Sequence, residues 1–292
     1  MPVDNVAGWW YNDPWRFERR LAERDFINMK VFDIHAHIYP NAIADRAVHA
    51  ISHAYDDFPV KNDGRLETLV GEMDDAGVTA CAAHSVATTP HQVESINRFV
   101  MAAAEAHPGR IVPFATLHPD MAGLGDAADA LVKAGFRGVK LHPEFQNFKV
   151  DEPRAVAMFD AVAGRLPVLL HCGDYRCDNS APERIKHLLR EVPGLTLVCA
   201  HLGGWTTWEM AAAELIGSDV WVDTSSSLYA LDGPTAAAII RGYGVERALF
   251  GSDYPMWVPG EEIDRLLALP LTDGEKEKIL WDNHLALLGD KI

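Results

Sequence analysis

Short apolar runs that end in a polar residue, glycine or proline recur along the chain, and each is followed by a stretch long enough for a helix. Near-continuous apolar runs of this length are typical of strands buried on both faces. There are eight of them: Val31–His37, Thr79–Val86, Ile111–Pro119, Phe136–Pro143, Pro167–Asp174, Leu195–Gly204, Val220–Ser227 and Ala248–Pro255. Intervening segments such as 92–106 and 153–164 carry apolar residues at helical spacing, with glycine or proline just beyond. The pattern predicts eight strand-helix units with parallel strands.

Eight such units predict an α/β protein whose residues 31–292 form one (β/α)8 TIM barrel. The alternative is an open doubly wound sheet, but the phosphate loop or switch-point signature typical of that fold is not found in the sequence. The first unit is longer than the others, and its extra residues 40–63 form either a lid over the barrel mouth or an ordinary first helix with a longer entry loop.

Residues 1–30 form a predicted extension that is rich in aromatic residues, including Trp9, Trp10, Tyr11 and Trp15. Aromatic side chains in this number should not stay in contact with water. We expect the extension to pack on the barrel or on a second subunit, so a homodimer is one expected state.

Charge and composition narrow the classes of partner. The formal net charge is −16, and an acidic surface disfavours both nucleic acid and anionic membranes. The sequence has no apolar run of membrane-spanning length and no signal-like start, and its 4 cysteines are too sparse for a disulfide framework. These features predict a cytoplasmic protein with reduced thiols that acts on a small molecule.

Histidines are concentrated where such a barrel carries its active site. Of the 13 histidines, seven lie toward the carboxyl ends of the predicted strands. His35 and His37 are separated by one residue, so a strand directs both side chains to the same face and supplies half of a zinc-type site. Asp33, two residues earlier, is expected on that face as well. The strand-end histidines His84 and His118 either line the pocket or bond to nearby loops.

Three further polar residues interrupt apolar strands just before a turn: His171 ends the fifth strand, His201 the sixth and Asp253 the eighth. A buried carboxylate such as Asp253 is costly unless it is paired or bound to a metal. Because the carboxyl ends of all eight strands meet at one rim, these side chains are expected to converge with His35 and His37.

The motifs at these strand ends resemble a known family. They are DIHAHIYP at 33–40, HCG at 171–173, AHLGG at 200–204, DTS at 223–225, GSDYP at 251–255 and a closing Asn283. Together they are similar to the amidohydrolase superfamily, and within it to the amidohydrolase-related branch that includes aminocarboxymuconate-semialdehyde decarboxylase. The resemblance covers residues 31–289.

The resemblance implies a metal-dependent barrel with one divalent ion, usually zinc. Carried over to this sequence, the implied ligands are His35, His37, His171 and Asp253. His201 would be the unliganded imidazole beside the metal-bound water, and Asp253 could carry a proton to the leaving group.

Two strand-four residues and one loop residue are predicted to face the substrate. In binuclear members of the superfamily a strand-four lysine bridges two metals, so Lys140 is such a bridge, a residue near the substrate or a residue that supports the metal ligands. His142, on the same face, contacts the substrate, supports the ligands or serves as an extra ligand. Arg176 is expected to bind a substrate carboxylate, with an ion pair to Asp174 or Asp178 as the alternative.

These observations predict a metal-dependent hydrolase that cleaves an amide, lactone or ester of a small carboxylated molecule. The alternative within the same branch is a non-oxidative decarboxylase, which would use the same ligands. A third interpretation is a metal-binding scaffold without catalysis, but a scaffold would not need a free base such as His201 beside the metal.

Overall fold

The eight predicted strands form one parallel sheet in chain order. They are Phe32–His37 (β1), Ala80–His84 (β2), Ile111–Ala115 (β3), Gly138–Leu141 (β4), Val168–Leu170 (β5), Leu197–Cys199 (β6), Trp221–Asp223 (β7) and Ala248–Leu249 (β8). Backbone hydrogen bonds from Ile34 to Phe250 (2.9 Å) and from His37 to Tyr254 (2.7 Å) join the last strand segment to the first. The (β/α)8 barrel is therefore confirmed, and the open doubly wound sheet is excluded.

The computed structural model describes residues 29–289, so the aromatic extension predicted for residues 1–30 lies almost entirely outside the described residues. The helices are Ala44–Ala54 (α1), Leu66–Ala76 (α2), Val93–Ala106 (α3), Leu124–Ala134 (α4), Pro143–Gln146 (α5), Pro153–Val162 (α6), Pro182–Glu191 (α7), Trp208–Leu215 (α8), Gly233–Tyr243 (α9), Pro259–Leu267 (α10), Asp273–Glu277 (α11) and Asn283–Leu288 (α12). The helices predicted over 92–106 and 153–164 are observed as α3 and α6. Across residues 29–289, no helix combines the length and the apolar character needed to cross a membrane.

The long first unit contains two helices in place of one. Helix α2 precedes β2 and packs beside α10 in the outer ring. Helix α1 is additional, and residues along one side of it, from Ile43 to Ala54, line the cavity at the barrel mouth. The extra residues 40–63 therefore contribute a wall of that cavity.

The lower part of the barrel interior is filled by apolar side chains. Phe32 and Ile34 of β1 and Phe114 of β3 belong to this inner core. Gly138 of β4 faces Phe114 so closely that an added Cβ would lie 2.5 Å from the ring. Because side chains alternate along a strand, Lys140 lies on the same inner face two residues further on. The interior is thus closed by apolar groups below and lined by polar groups above.

The pairing of β1 with β2 shifts register between Asp33 and Ala36. The carboxylate of Asp33 accepts hydrogen bonds from the backbone N–H groups of His35 (2.9 Å) and Ser252 (2.9 Å) and from the Ser252 hydroxyl. Asp33 therefore ties the end of β1 to the loop after β8. Its expected place beside the imidazoles of His35 and His37 is corrected, since the irregular register changes the simple alternation.

Candidate functional site

Polar side chains from seven of the eight strands meet at the carboxyl end of the barrel. They are His35 and His37 from β1, His84 from β2, Lys140 and His142 from the end of β4, His171 after β5, His201 after β6, Asp223 from β7 and Asp253 after β8. All of them except the partly exposed His37 are more than nine-tenths buried. The structure thus places every residue that the sequence singled out as a ligand at one end of the barrel.

Three of the predicted ligands have donor atoms at nearly equal distances from one another. The Nε2 atoms of His35 and His37 are 3.2 Å apart, and Oδ1 of Asp253 lies 3.3 Å from the first and 3.5 Å from the second. A tetrahedral ion with ligand distances of about 2.0–2.1 Å separates its donors by about 3.3–3.4 Å. The three atoms therefore have the spacing of one face of such a site, and this donor set fits a divalent metal ion.

His171 and His201 direct lone pairs toward each other. Nε2 of His171 donates to the carbonyl of Gly173 (3.0 Å), and Nδ1 of His201 donates to the carbonyl of Ser225 (3.1 Å). A carbonyl only accepts, so these bonds fix both tautomers. The remaining atoms, Nδ1 of His171 and Nε2 of His201, are 3.0 Å apart, and two lone pairs at this distance require a proton or a cation. Both rings therefore offer acceptor atoms to the site.

Burial sets the protonation states of the cluster. It lowers the pKa values of His35 and His201 well below the usual 6.5, and the positive charge of Lys140 lowers them further. Burial also raises the pKa of Asp253 to about 7, although the Ser226 hydroxyl and Lys140 act in the opposite direction. The imidazoles are therefore neutral near pH 7, as metal ligands and proton acceptors must be.

Asp223 is a site residue to which the sequence assigned no role. Its carboxylate accepts from Nδ1 of His35 (2.8 Å) and from the backbone N–H groups of His201 (3.0 Å) and Ser225 (3.0 Å). A carboxylate behind a ligating histidine fixes the tautomer and increases the basicity of the nitrogen that faces the metal. The signal in the sequence was an acidic residue at the end of an apolar strand, the same signal that identified Asp253.

Lys140 contacts a predicted ligand directly. Its Nζ lies 2.9 Å from Nε2 of His35, and its side chain is fully buried. Burial lowers its pKa to about 8, and the carboxylates of Asp253 and Asp223 oppose that shift. Lys140 is not among the residues that line the cavity. Its position is therefore beneath the substrate space and beside His35.

His142 lines the cavity beside the predicted ligand His171. Its ring stacks on that of His171 with centroids 3.9 Å apart, and its Nε2 is 3.0 Å from the hydroxyl of Tyr55. The opposite edge is 3.3 Å from a carboxylate oxygen of Glu144. This position on the cavity wall supports the substrate-side role more directly than the ligand role.

Arg176 is held by an ion pair. Its guanidinium forms a two-bond contact with Asp174 (2.7 and 2.9 Å) and donates to the carbonyl of Ala54 at the end of α1 (2.8 Å). Arg176 does not line the cavity. The structure therefore corresponds to the alternative interpretation, in which the arginine pairs with Asp174, and its expected contact with a substrate carboxylate has no geometric support.

A cavity of about 670 Å³ opens onto the cluster. The five predicted residues His35, His37, His171, His201 and Asp253 form one part of its lining. Most of the remaining wall is apolar or aromatic, with Tyr55, Phe58, Phe145, Trp205, Tyr229 and Trp257 among its members. Arg46 of α1 is the one arginine or lysine on the wall among the residues that the structure describes. The cavity suits a small molecule with an apolar ring and few charges.

The two histidines left undecided by the sequence differ in their surroundings. Nδ1 of His118 accepts from the backbone N–H of Asp120 (3.2 Å), so this ring bonds to a nearby loop. Both ring nitrogens of His84 are buried without a hydrogen-bond partner among the described residues.

Comparison with known proteins identifies the family. A family model described as Amidohydrolase matches residues 32–289. No curated protein matches the sequence. The family match covers the whole barrel and all of the strand-end motifs.

Solved structures share the fold. An uncharacterised TIM-barrel protein of Bordetella bronchiseptica is 22% identical, with a TM-score of 0.71 over 89% of this chain and 98% of that one. A candidate 2-pyrone-4,6-dicarboxylic acid hydrolase of Pseudomonas putida is 22% identical, with a TM-score of 0.65 over 91% and 100%. A dihydroxybenzoic acid decarboxylase of a Polaromonas species, with bound manganese and the inhibitor 2-nitroresorcinol, is 14% identical, with a TM-score of 0.66 over 89% and 97%. At these identities the likeness establishes the barrel.

Proposed function

The chain belongs to the amidohydrolase family, and from this premise we propose that it is a metal-dependent hydrolase of a small carboxylated molecule with an amide, lactone or ester bond. The observation that carries the proposal is the spacing of the donor atoms of His35, His37 and Asp253 at the end of the cavity. Nδ1 of His171 is the fourth donor we assign, because its other nitrogen is occupied by the Gly173 carbonyl.

A divalent ion bound by these residues would supply Lewis-acid activation of water and of a carbonyl oxygen. We assign zinc, since three imidazoles and one carboxylate suit it. The same donors also accept manganese, the ion bound in the Polaromonas neighbour, so the metal must be measured.

His201 and Asp253 handle protons in this proposal. Nε2 of His201 carries a lone pair, because Nδ1 donates to the Ser225 carbonyl, so it can accept a proton from the attacking water. Asp253 is the carboxylate we assign to take up that proton and deliver it to the leaving oxygen or nitrogen, because its Oδ1 faces His35 and His37 while its Oδ2 accepts from the Ser226 hydroxyl. The apolar walls exclude bulk water from these transfers.

Arg46 is the cavity residue we assign to the substrate carboxylate. No ion pair holds it among the described residues, in contrast to Arg176, and it lies on the wall formed by α1. The P. putida neighbour is described as acting on a cyclic dicarboxylic acid, which supports a carboxylated ring as the substrate class.

One observation favours decarboxylation as the second candidate. The aromatic walls suit a flat aryl carboxylate, and the Polaromonas neighbour is a decarboxylase of such an acid. In that reaction the bond from ring carbon to carboxylate breaks and the electron pair stays on the carbon. A proton that His201 or Asp253 has first taken up from water replaces the released carbon dioxide.

The test combines metal analysis with a substrate panel. Lactones, amides and aryl carboxylates are incubated with metal-analysed enzyme, and both acid release and carbon dioxide release are scored. We expect one divalent ion per chain and turnover of a carboxylated lactone, amide or ester. Carbon dioxide release without acid release from the other substrates would select the decarboxylase. Two ions bridged by modified Lys140 would overturn the single-ion site. A folded protein without affinity for divalent metals would refute both the hydrolase and the decarboxylase.

Two variants separate metal binding from proton transfer. His201→Ala should keep the metal but lower kcat by about 10²- to 10⁴-fold, the usual contribution of a positioned acid-base group. His171→Ala should lose metal and activity together. If His201→Ala loses metal as completely, His201 is a ligand and the proton acceptor must be Asp253 or His142.

A further inference from the structure

His84 is a buried imidazole that no other part of the site explains. It ends β2 and pairs in register with His37 of β1. Ala82 and Ala80, two and four residues earlier on the same strand, belong to the inner core of the barrel. Because side chains alternate along a strand, the His84 ring points into the barrel interior, next to the His37 ring.

Neither nitrogen of this ring has a hydrogen-bond partner among the described residues, and the side chain is fully buried. Buried polar side chains in folded proteins nearly always have a partner, because leaving one unpaired is costly. His118, at the corresponding end of the next strand, has such a partner in the backbone of Asp120. Among the buried side-chain atoms without a partner in the described residues, both ring nitrogens of one histidine occur only at His84.

The nearest polar rings are those of two predicted ligands. The centroid of His84 is 4.4 Å from that of His37, with the rings at 88°, and 5.2 Å from that of His35, with the rings at 60°. One nitrogen from each of the three rings lies within 4.8 Å of the other two. Donors of a tetrahedral ion are about 3.3–3.4 Å apart, so the three nitrogens are within about 1.5 Å of the spacing of a shared coordination sphere.

A direct role toward substrate does not fit the position. His84 does not line the cavity, although the next two residues, Ser85 and Val86, do. A ring that is closed off from the cavity cannot exchange a proton with a bound molecule. It can still reach an ion held by residues on the cavity floor.

We propose that His84 is a further ligand of the metal ion that His35 and His37 hold. This inference rests on the proposed function, because it concerns the same ion. It adds a fourth strand, β2, to the strands β1, β5 and β8 that carry the assigned ligands. It also makes the site richer in imidazole than the set of ligands implied by the family resemblance.

The experiment measures metal binding without relying on activity. Apo protein is titrated with zinc in competition with a chromogenic chelator, and the visible absorption of the cobalt-loaded protein is recorded. His84→Ala and His84→Gln are compared with wild type, and His118→Ala is the matched control because it removes a buried strand-end histidine that has its own partner. Circular dichroism of the apo proteins confirms folding.

We expect both His84 variants to raise the zinc dissociation constant at least 10-fold and to change the cobalt absorption bands, while His118→Ala does neither. Glutamine keeps hydrogen-bonding groups and most of the volume, so it is the variant scored if alanine prevents folding. Wild-type affinity and an unchanged cobalt spectrum in His84→Gln would show that the ring does not bind the ion and would overturn the inference.

The design separates this inference from the proposed function. If wild type binds zinc and the His84 variants bind it equally well, only the role of His84 is wrong. If wild type binds no divalent ion, the metal-dependent function is wrong and the role of His84 with it.

Discussion

Asp223→Asn should weaken metal binding more than any other substitution that spares the predicted ligands. The carboxylate of Asp223 accepts from Nδ1 of His35 on one oxygen and from the backbone N–H groups of His201 and Ser225 on the other. An asparagine can offer only one oxygen. If its amide nitrogen faces His35, that ring must move its proton to Nε2, the atom that faces the metal. If the amide nitrogen faces the backbone instead, it is a third donor beside the N–H groups of His201 and Ser225, and these two lose their acceptor.

The magnitude follows from this conflict. Removing the hydrogen-bond partner of a metal-ligating histidine usually costs about 10- to 100-fold in metal affinity, or about 1.4–2.7 kcal/mol. Asp223 is fully buried and no orientation of the amide satisfies all of its partners, so we expect a loss toward the upper end. Some loss of stability accompanies it, because a buried donor remains unpaired.

The matched control is Asp33→Asn. Asp33 is also buried and also accepts from backbone N–H groups, those of His35 and Ser252, but it contacts no imidazole ring. Zinc dissociation constants are measured by chelator competition, and urea unfolding of the apo proteins gives the stability change. Wild-type affinity in Asp223→Asn, or equal losses of affinity in both variants, would refute the role of the carboxylate as a support for the His35 ring.

Three other predictions concern packing, pH and the cavity wall. Gly138→Ala should lower the free energy of unfolding by about 1–3 kcal/mol in urea titrations, because its Cβ would lie 2.5 Å from the Phe114 ring; no change would mean that the ring moves freely. His284 stacks on Phe32 at 4.1 Å, and burial lowers its pKa to about 4. Its contribution to stability is therefore complete above pH 6.5 and is lost as the pH falls toward 4, so His284→Phe should lose less stability than wild type between pH 7 and 5; parallel losses would contradict this. Arg176→Ala should speed amide hydrogen exchange in the last turn of α1, since its guanidinium bonds to a carbonyl there; unchanged exchange would show that the bond does not hold the helix.

The repeating pattern of the sequence was sufficient to predict the barrel. Each strand-helix unit is recognisable from its own apolar run and the helical spacing that follows it. Eight such runs at regular spacing are buried together when helices cover a parallel sheet on its outer face. The strand period of two also placed His35 and His37 together, because their relation depends on one strand alone. His171, His201 and Asp253 were placed at the rim of the barrel because each ends its own strand, which is again a local feature.

Contacts between distant segments were decided by the tertiary structure. The pairing of Asp223 with His35, across 188 positions, depends on how the first and seventh strands are staggered around the barrel, which no local pattern encodes. The register shift after Asp33 turned a residue with the right spacing toward the backbone of Ser252. Arg176 had several acidic residues within reach of its chain, and only the folded loop and α1 selected Asp174. The sequence by itself thus determined the elements and the strand ends that carry polar side chains. The closure of the barrel decided which of those side chains converge at the proposed metal site and which accept hydrogen bonds behind it, since that choice depends on distances between strands.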